Sequence, residues 1–382
     1  MIVEIRKAGF LNKGAELMLY AILDKMKREF PVAKFAMAPH PVAAPYEERI
    51  KLHLYQKPDI WRYRFQWGKV FSLIPRFFRK MYGVVLDREI DVVLDAAGFG
   101  YSDQQGRNAS LGLANACKRW KKNGAKVILL PQAFGPFNDP VIRKSMKIAI
   151  ENADIIFARD KISYDYLIDI AGERQTIRIS PDYTNLIEGI LPDDFDTINN
   201  QFCLIPNYRM IDKTSEDKSS LYIPFMIKCA QYLIKRGVKP FLLVHDGIND
   251  LLLAEEISKG VGGEIPIVKE THPLKIKGII GASEGMVGSR FHGLVSALSQ
   301  GVPALATGWS HKYEELFNDY DFPEGILNVT CNEQKLHNKL DMIINQKSQA
   351  IIKKTLGEKS SIQKQQSEMM WTEVFTLLNS KK

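Results

Sequence analysis

Cysteine is scarce in this chain: 4 among 382 residues, at Cys117, Cys203, Cys229 and Cys331. No two share CxxC spacing and none pairs with histidine at a metal-ligand interval, which excludes a zinc finger and a disulfide-built scaffold. They read as buried, reduced thiols of a cytoplasmic chain. Long apolar runs are missing too: nowhere do about 20 apolar residues follow one another, so no segment is expected to span a bilayer. The opening MIVEIRKAGF has neither the apolar stretch nor the cleavage site of a secretory leader, and reads as a first strand entering a loop. Acidic residues are outnumbered, 44 Asp and Glu against 52 Lys and Arg, for a net charge of +8. That excess suits nucleic acid, an anionic membrane or a phosphorylated substrate. No RRM-like, zinc-finger or helix-turn-helix signature accompanies it, so a nucleic-acid partner is not expected. Short-period repeats and low-complexity segments are absent.

What is present is a rhythm of short apolar runs followed by longer amphipathic ones. Strands are predicted at Ile2–Ile5, Ala33–Met37, Asp91–Ala96, Lys126–Leu130, Asp154–Ala158 and Ile177–Ile179, with helices such as Glu16–Glu29, Leu111–Lys122 and Arg143–Asn152 between them. Nearly continuous Val/Ile/Leu runs are what parallel strands covered on both faces require. The polar, acidic stretch LPDDFDTINN at 191–200 interrupts the rhythm and is read as an interdomain linker. Strands then resume at Phe202–Pro206, Pro240–His245, Gly285–Val287 and Pro303–Ala306. Their helices are placed near Tyr222–Arg236, Leu251–Lys259, Phe291–Gln300 and Glu333–Asn345. The expected fold class is α/β, two Rossmann-like domains facing a cleft at the carboxyl ends of their strands. The domains are set at 1–190 and 201–355, and 356–382 is a C-terminal segment whose helix, Gln363–Leu378, is expected to pack back on the first domain.

One segment breaks the rhythm. Trp61–Tyr82 (WRYRFQWGKVFSLIPRFFRKMY) interleaves aromatic and basic side chains without an acid. Two readings are open: a surface that touches a membrane or a lipid-linked acceptor, or an amphipathic helix with its aromatics inward. The chain is accordingly expected in the cytoplasm, with peripheral contact at the inner face of the membrane under the first reading.

The densest concentration of chemistry lies in GSRFHGLVSALSQGVPALATGWSHKY, Gly288–Tyr313. A strand ends at Gly288 and Ser289 is a suitable N-cap for the helix that follows. The first helical turn offers amides to an anion, with Arg290 beside it as a fixed positive charge. His292 stands close by as a proton carrier, and Lys312 follows the next strand. In the first domain, GFLNKGAE at Gly9–Glu16 lacks GxGxxG spacing, so it is no dinucleotide fingerprint; it is either a backbone cradle or a tight turn. PQAFGPF at Pro131–Phe137 closes a strand with a turn. Arg159 in ARDKIS follows another strand, either as a functional cation or as the ion-pair partner of Asp160. Asp182 in SPDY, Arg209 in PNYRM and His245 in VHD also lie just past strands.

Taken in order, these residues resemble the polysaccharide pyruvyl transferases. The resemblance runs from Gly9 to Lys312. It rests on the loop with Asn12 and Glu16, the Gln132–Phe137 turn, ARDxxS at Ala158–Ser163, Pro181-Asp182, SRxH at Ser289–His292, Pro303 and Lys312. It implies a fold similar to B-type glycosyltransferases. The implied activity is transfer of pyruvate from phosphoenolpyruvate to two hydroxyls of a sugar, giving a cyclic ketal in bacterial polysaccharide biosynthesis. Catalytic roles are thereby implied for Arg159, His292 and Lys312. Donor binding falls to Ser289, Arg290, Arg209 and His245, and an acceptor or cleft wall to Gly9, Asn12, Gly14, Glu16, Gln132 and Asp182. Phosphoenolpyruvate is the co-substrate, with no cofactor or metal expected, and a sugar, whether free, nucleotide-linked, lipid-linked or polymeric, is the partner. The sequence departs from the pattern on the acceptor side: Gly14-Ala15-Glu16 replaces GDE, DAAGFG stands at Asp95–Gly100, and PQAFGP replaces GQSIGP. A glycosyltransferase of the same build using a nucleotide sugar is the alternative enzyme, and a sugar-binding module descended from such an enzyme is the non-catalytic one.

Overall fold

The computed structural model describes residues 1–58, 61–62, 65–263, 265–308 and 312–380, with side chains described outside 61–69. It divides into two compact units, Met1–Tyr183 with Ser367–Lys382, and Thr184–Gln366. Each is an α/β layer structure.

In the first unit the strands are β1 (Ile2–Arg6), β2 (Lys34–Met37), β3 (Tyr55–Gln56), a small antiparallel pair β4 (Trp61–Arg62) and β5 (Phe65–Gln66), then β6 (Val92–Asp95), β7 (Lys126–Gln132), β8 (Ile155–Ala158) and β9 (Ile177–Ile179). Helices α1 (Lys13–Glu29), α2 (Tyr46–Lys51), α3 (Arg76–Met81), α4 (Arg107–Lys122), α5 (Pro140–Asn152) and α6 (Lys161–Ala171) connect them. The main sheet is parallel, in the order β3-β2-β1-β6-β7-β8-β9. Strand β7 is a run of Val127, Ile128, Leu129 and Leu130 with no exposed surface, as a strand covered on both faces must be. Chain order reverses between β1 and β6, so their carboxyl ends form the switch point where such sheets take ligands.

The second unit repeats the plan. Its strands are β10 (Phe202–Ile205), β11 (Pro240–Val244), β12 (Ile267–Lys269), β13 (Gly285–Gly288) and β14 (Ala304–Ala306). They are parallel in the order β12-β11-β10-β13-β14, which puts the switch point between β10 and β13. Helices α7 (Arg209–Asp212), α8 (Glu216–Lys235), α9 (Gly247–Val261), α10 (Pro273–Gly281), α11 (Phe291–Leu298), α12 (Lys312–Asp319), α13 (Glu333–Ile344) and α14 (Gln346–Asn379) complete it.

The expected strands correspond to β1, β2, β6, β7, β8 and β9 of the first sheet and β10, β11, β13 and β14 of the second, the short β9 and β14 among them. The edge strands β3 and β12 escape a periodicity reading because two or three residues carry no period. The units divide at Tyr183/Thr184 and not at residue 190. Residues 184–190 lie along α10: Lys277 Nζ donates to the Thr184 carbonyl at 2.6 Å, Ile190 N–H donates to Leu274 O at 2.9 Å, and a Cβ at Gly189 would meet Gly278 N at 2.5 Å. The acidic stretch 191–200 therefore belongs inside the second unit. The last helix begins at Gln346, well before the expected Gln363, so no element boundary falls at 355/356. From Ser367 on it belongs to the first unit, where buried Trp371 stacks edge-on to Tyr183 at 6.0 Å and Lys126 Nζ donates to Leu377 O. Among the described residues no helix is long and apolar enough to cross a membrane.

Candidate active site

In the second unit the site grows from the switch point. Strands β10 and β13 run in register, Ile205 beside Gly288, so the segments leaving them emerge together. A Cβ at Gly288 would lie 2.7 Å from Met286 Cε and 3.2 Å from Ile205 Cβ, which keeps that strand end free of a side chain. The next residue, Ser289, was expected to cap α11, and it does not: the N-cap is Arg290, without a side-chain cap bond. Ser289 is fully buried, its hydroxyl bonded to Thr307 Oγ1 and 3.3 Å from the Tyr222 hydroxyl. Its carbonyl accepts Asn207 Nδ2 at 2.7 Å and the Tyr313 hydroxyl at 2.9 Å. Four residues, Asn207, Tyr222, Thr307 and Tyr313, thus pin the turn; the serine acts as a joint because its Oγ meets Thr307 and Tyr222 and not an amide of the helix.

Arg290 was expected as a fixed positive charge beside the helix. Its guanidinium instead grips Asp250, Nε to Oδ2 at 2.9 Å and Nη2 to Oδ1 at 2.6 Å, while Nη1 donates to Asp246 Oδ2 at 3.1 Å. Asp250 is completely buried and also accepts the Tyr208 amide at 2.9 Å. Burial raises its carboxyl above the usual range against the opposing pull of Arg290. The charge of Arg290 is thus matched by two carboxylates, and the arginine ties α9 to the entry of α11. An Arg290→Lys variant keeps one cation but loses the planar fork, leaving a buried carboxylate oxygen unmatched. It is expected to lower the stability of this unit by about 2 kcal/mol, read as an earlier melting transition with Arg290→Met as the more severe comparison.

His292 is the second residue of α11, half-buried, its ring edge-on to Phe291 with centroids 5.6 Å apart. Lys312 opens α12 after β14, with Nζ 5.3 Å from the Phe291 ring and 5.2 Å from the Tyr313 ring. The Phe291 ring is therefore the common wall of imidazole and ammonium. The structure brings Ser289, Arg290, His292 and Lys312 to neighbouring ends of β13 and β14; residues 309–311, inside the same motif, lie outside the described residues. His245 lies buried just past β11. Arg209 is half-exposed and paired with Asp212 three residues on. A cavity of about 320 Å³, within the range of small-molecule sites, opens beside the cluster, lined by Met210, Lys218, Thr307, Gly308, Tyr313 and Asn328 among others. It shares Thr307 and Tyr313 with the Ser289 joint; Arg290, His292 and Lys312 are not in its lining.

The first unit holds its own cluster. Across its switch point Arg6 Nη1 lies 3.4 Å from Asp95 Oδ2, and the buried Tyr101 hydroxyl donates to the same oxygen at 2.9 Å. Burial, then the Asp95 charge, pushes the Tyr101 phenol well above its usual range. These contacts hold the DAAGFG turn, in which Gly98 adopts φ +66°. The Gly9–Glu16 loop is a tight entry into α1: Asn12 caps it by accepting the Ala15 amide at 2.9 Å, and a Cβ on Gly9 would meet Ala43 O at 2.5 Å. Gly14 lies buried in the first turn and Glu16 is buried and paired with Lys13 at 2.6 Å. Gln132 ends β7 fully buried, its carbonyl accepting the Arg159 amide at 3.0 Å.

Arg159 does not pair with its neighbour Asp160. Its Nη1 lies 3.3 Å from Asp182 Oδ2, both side chains nearly buried. Asp160 caps α6 through the Ser163 amide, and Ser163 Oγ accepts the Phe134 amide at 2.9 Å. The ARDxxS and PQAFGP segments are thereby one interlocked unit, joined to SPDY by the Arg159–Asp182 pair. Sequence reading missed Arg6, Asp95 and Tyr101 here, and Asn207, Asp246, Asp250, Phe291, Thr307 and Tyr313 in the second unit. Asp246 and Asp250 did offer a signal, two acids one helical turn apart next to His245. Their partner Arg290 lies 40 residues beyond Asp250. Among the described residues no group of three His, Cys, Asp or Glu side chains is placed to hold a metal ion.

No curated protein matches the chain. Among solved structures, UDP-GlcNAc 2-epimerase from Neisseria meningitidis bound to UDP-GlcNAc is similar with a TM-score of 0.61 at 11% identity, over 100% of each chain. The S. aureus MnaA–UDP structure gives 0.59 at 14% identity, over 99% of this chain and 96% of that one. Anabaena HepE with UDP gives 0.59 at 12%, over 100% of both. At such identities the likeness is one of fold, two parallel sheets with helices in a GT-B-like build. The family model for polysaccharide pyruvyl transferase matches residues 12–311, a span that holds Asn12, Gln132, Arg159, Asp182, Arg290 and His292 and stops one residue before Lys312. The chain belongs to the polysaccharide pyruvyl transferase family.

Proposed function

We propose that this protein transfers pyruvate from phosphoenolpyruvate to two hydroxyls of a sugar in a glycan or glycan precursor, closing a cyclic ketal. The observation that carries the reading is family membership across residues 12–311, joined to the grouping of His292 and Lys312 around one aromatic wall at the strand ends of the second unit. Phosphoenolpyruvate brings a carboxylate and a phosphate, and Lys312 is the cation assigned to it. Arg159 of the first unit is assigned a donor role on the resemblance alone.

His292 is the proton carrier. It gives a proton to the methylene carbon, which makes C2 electrophilic, and takes one back from the attacking sugar hydroxyl. Inorganic phosphate then leaves with the C2–O bond electrons, its charge stabilised by nearby cations. The second hydroxyl adds to C2 and releases its proton, so the product is the sugar diol plus pyruvate less one water. Arg290 acts in this scheme by fixing the first turn of α11, because its guanidinium is held by Asp246 and Asp250.

Thermal shift separates the readings. Phosphoenolpyruvate at a hundred times its Kd is expected to add about 2.7 kcal/mol, a rise of about 5 to 10 °C for a unit of this size. A shift with UDP-sugars alone would assign a nucleotide-sugar glycosyltransferase, and none with either would assign a binding module. Mass spectrometry of sugar acceptors after incubation with phosphoenolpyruvate then identifies the ketal.

A further inference from the structure

The segment between β5 and β6 is built inside out. A short helix that packs on a domain turns its apolar side inward and its charges to water. In α3 the buried position is Arg79, whose Nε donates to Ile74 O at 3.2 Å and whose Nη1 pairs with Glu89 at 2.6 Å. Around it Leu73 is 81% exposed, Phe77 73%, Tyr82 66% and Met81 59%, with Phe78 about half exposed. Phe77 and Phe78 meet edge to face at 5.6 Å, so they shield one another and little else. Pro75 precedes the helix and separates it from the 3-10 turn over Trp67–Leu73, which rules out the single inward-facing amphipathic helix. A scattered exposed leucine needs no explanation; a contiguous set of large apolar side chains on one short element does.

The charge around this apolar tip is of one sign. No acidic residue occurs from Trp61 to Leu86, and Arg76 and Lys80 are exposed beside the phenylalanines. Behind them a cavity of about 450 Å³ is lined by Lys34, Arg76, Arg79 and Lys80, with Val32, Tyr55 and Val84 as its apolar wall. Its two acids are already engaged, Glu89 by Arg79 and Asp91 by the Ile2 amide at 2.7 Å. Val32, 90% exposed, extends the apolar rim. The cavity also touches Met1 and Ile2, so it lies at the amino ends of β1 and β2, whereas Asp95, Gln132 and Arg159 lie at or just past carboxyl ends of the same sheet.

We propose that this face docks the protein on an anionic phospholipid surface. Leu73, Phe77, Phe78 and Met81 enter the boundary between headgroups and acyl chains, where amphipathic elements with aromatic residues settle. Arg76, Lys80 and Lys34 meet lipid phosphates, each cation near an anionic leaflet adding about fivefold to binding. A second copy of the chain is the poorer occupant, since a twofold contact would set Arg76 and Lys80 against their own equivalents with no acid in the tip. Docking by the amino ends of the strands leaves their carboxyl ends uncovered. The inference is independent of the chemistry proposed above.

The test is co-sedimentation of the full chain with vesicles of phosphatidylcholine alone and of phosphatidylcholine mixed with phosphatidylglycerol. Binding is expected to be at least about tenfold stronger to the anionic vesicles. A Leu73→Ser, Phe77→Ser variant is expected to lose most of that binding, and Arg76→Glu with Lys80→Glu to lose about twentyfold or more. Both should melt with the wild type, because the altered side chains are exposed. Equal binding to the two vesicle types, no binding to either, or variants that sediment like the wild type would overturn the proposal. A concentration-dependent dimer in sedimentation velocity that Phe77→Ser abolishes, without vesicle binding, would assign the face to a second copy and overturn it equally.

Discussion

Replacing His292 with glutamine is expected to lower turnover with phosphoenolpyruvate by about a hundredfold to ten-thousandfold, the usual worth of a positioned general acid–base. The size of the effect follows from chemistry and not from stability. His292 is half-buried in the first turn of α11, where Asn207 and Tyr313 hold the Ser289 carbonyl and Asp246 and Asp250 hold Arg290. Glutamine keeps the polarity and a similar reach, so the melting temperature should stay within a degree or two. In the proposed mechanism the proton carrier acts on the methylene carbon of the donor, so KM for phosphoenolpyruvate should change much less than kcat. Steady-state kinetics on a sugar acceptor, paired with a melting curve, separates the two quantities. Near-normal turnover in a well-folded variant would remove His292 from the mechanism while leaving the family assignment intact.

Exchanging Lys57 for methionine is expected to give the largest loss of stability in the first unit, about 3 to 5 kcal/mol. The Lys57 ammonium is fully buried between Glu4 Oε2 at 2.6 Å and Asp87 Oδ1 at 2.8 Å. Glu4 is itself fully buried in the middle of β1, and its other cation, Arg6, stands 3.8 Å away. Removing the ammonium leaves a desolvated carboxylate with a poor remaining partner, the costly case for a buried ion pair. In a unit of this size the loss corresponds to about 10 °C of melting temperature. The double variant Glu4→Leu, Lys57→Met removes both charges and should recover part of the loss; a double variant as unstable as the single one would show that packing, and not charge, sets the effect. Acid sensitivity follows from the same network. Burial raises the Asp87 carboxyl, but Lys57 and Arg119 outweigh it and hold the carboxyl below its usual value. A depressed folded-state pKa contributes stability that is complete above the unfolded value near 3.8 and disappears as the pH falls through the folded one. With Lys57 gone the folded value moves up, so the Asp87 contribution should shrink and be lost at a higher pH in acid unfolding curves.

The sequence by itself determined the layer order and most of the strands, because parallel strands buried on both faces must be short apolar runs, and β1, β6, β7, β10 and β13 are such runs. It also located the strand-end segments that carry Arg159, His292 and Lys312, since motif order is a property of the chain. What it could not supply is pairing over distance. Arg290 reads as a fixed positive charge until folding sets Asp250 against it, and Arg159, open in the sequence between a functional cation and a partner of Asp160, is set against Asp182 instead. Glu4 in an apolar strand gave no sign of Lys57, which lies 53 residues away. The direction of α3 was likewise a tertiary decision: the buried Arg79, paired with the partly buried Glu89, turns Phe77 and Phe78 outward. Local periodicity records which residues avoid water; the neutralisation of a charge depends on which strand ends the sheet order brings side by side, and that is settled only when the sheet closes.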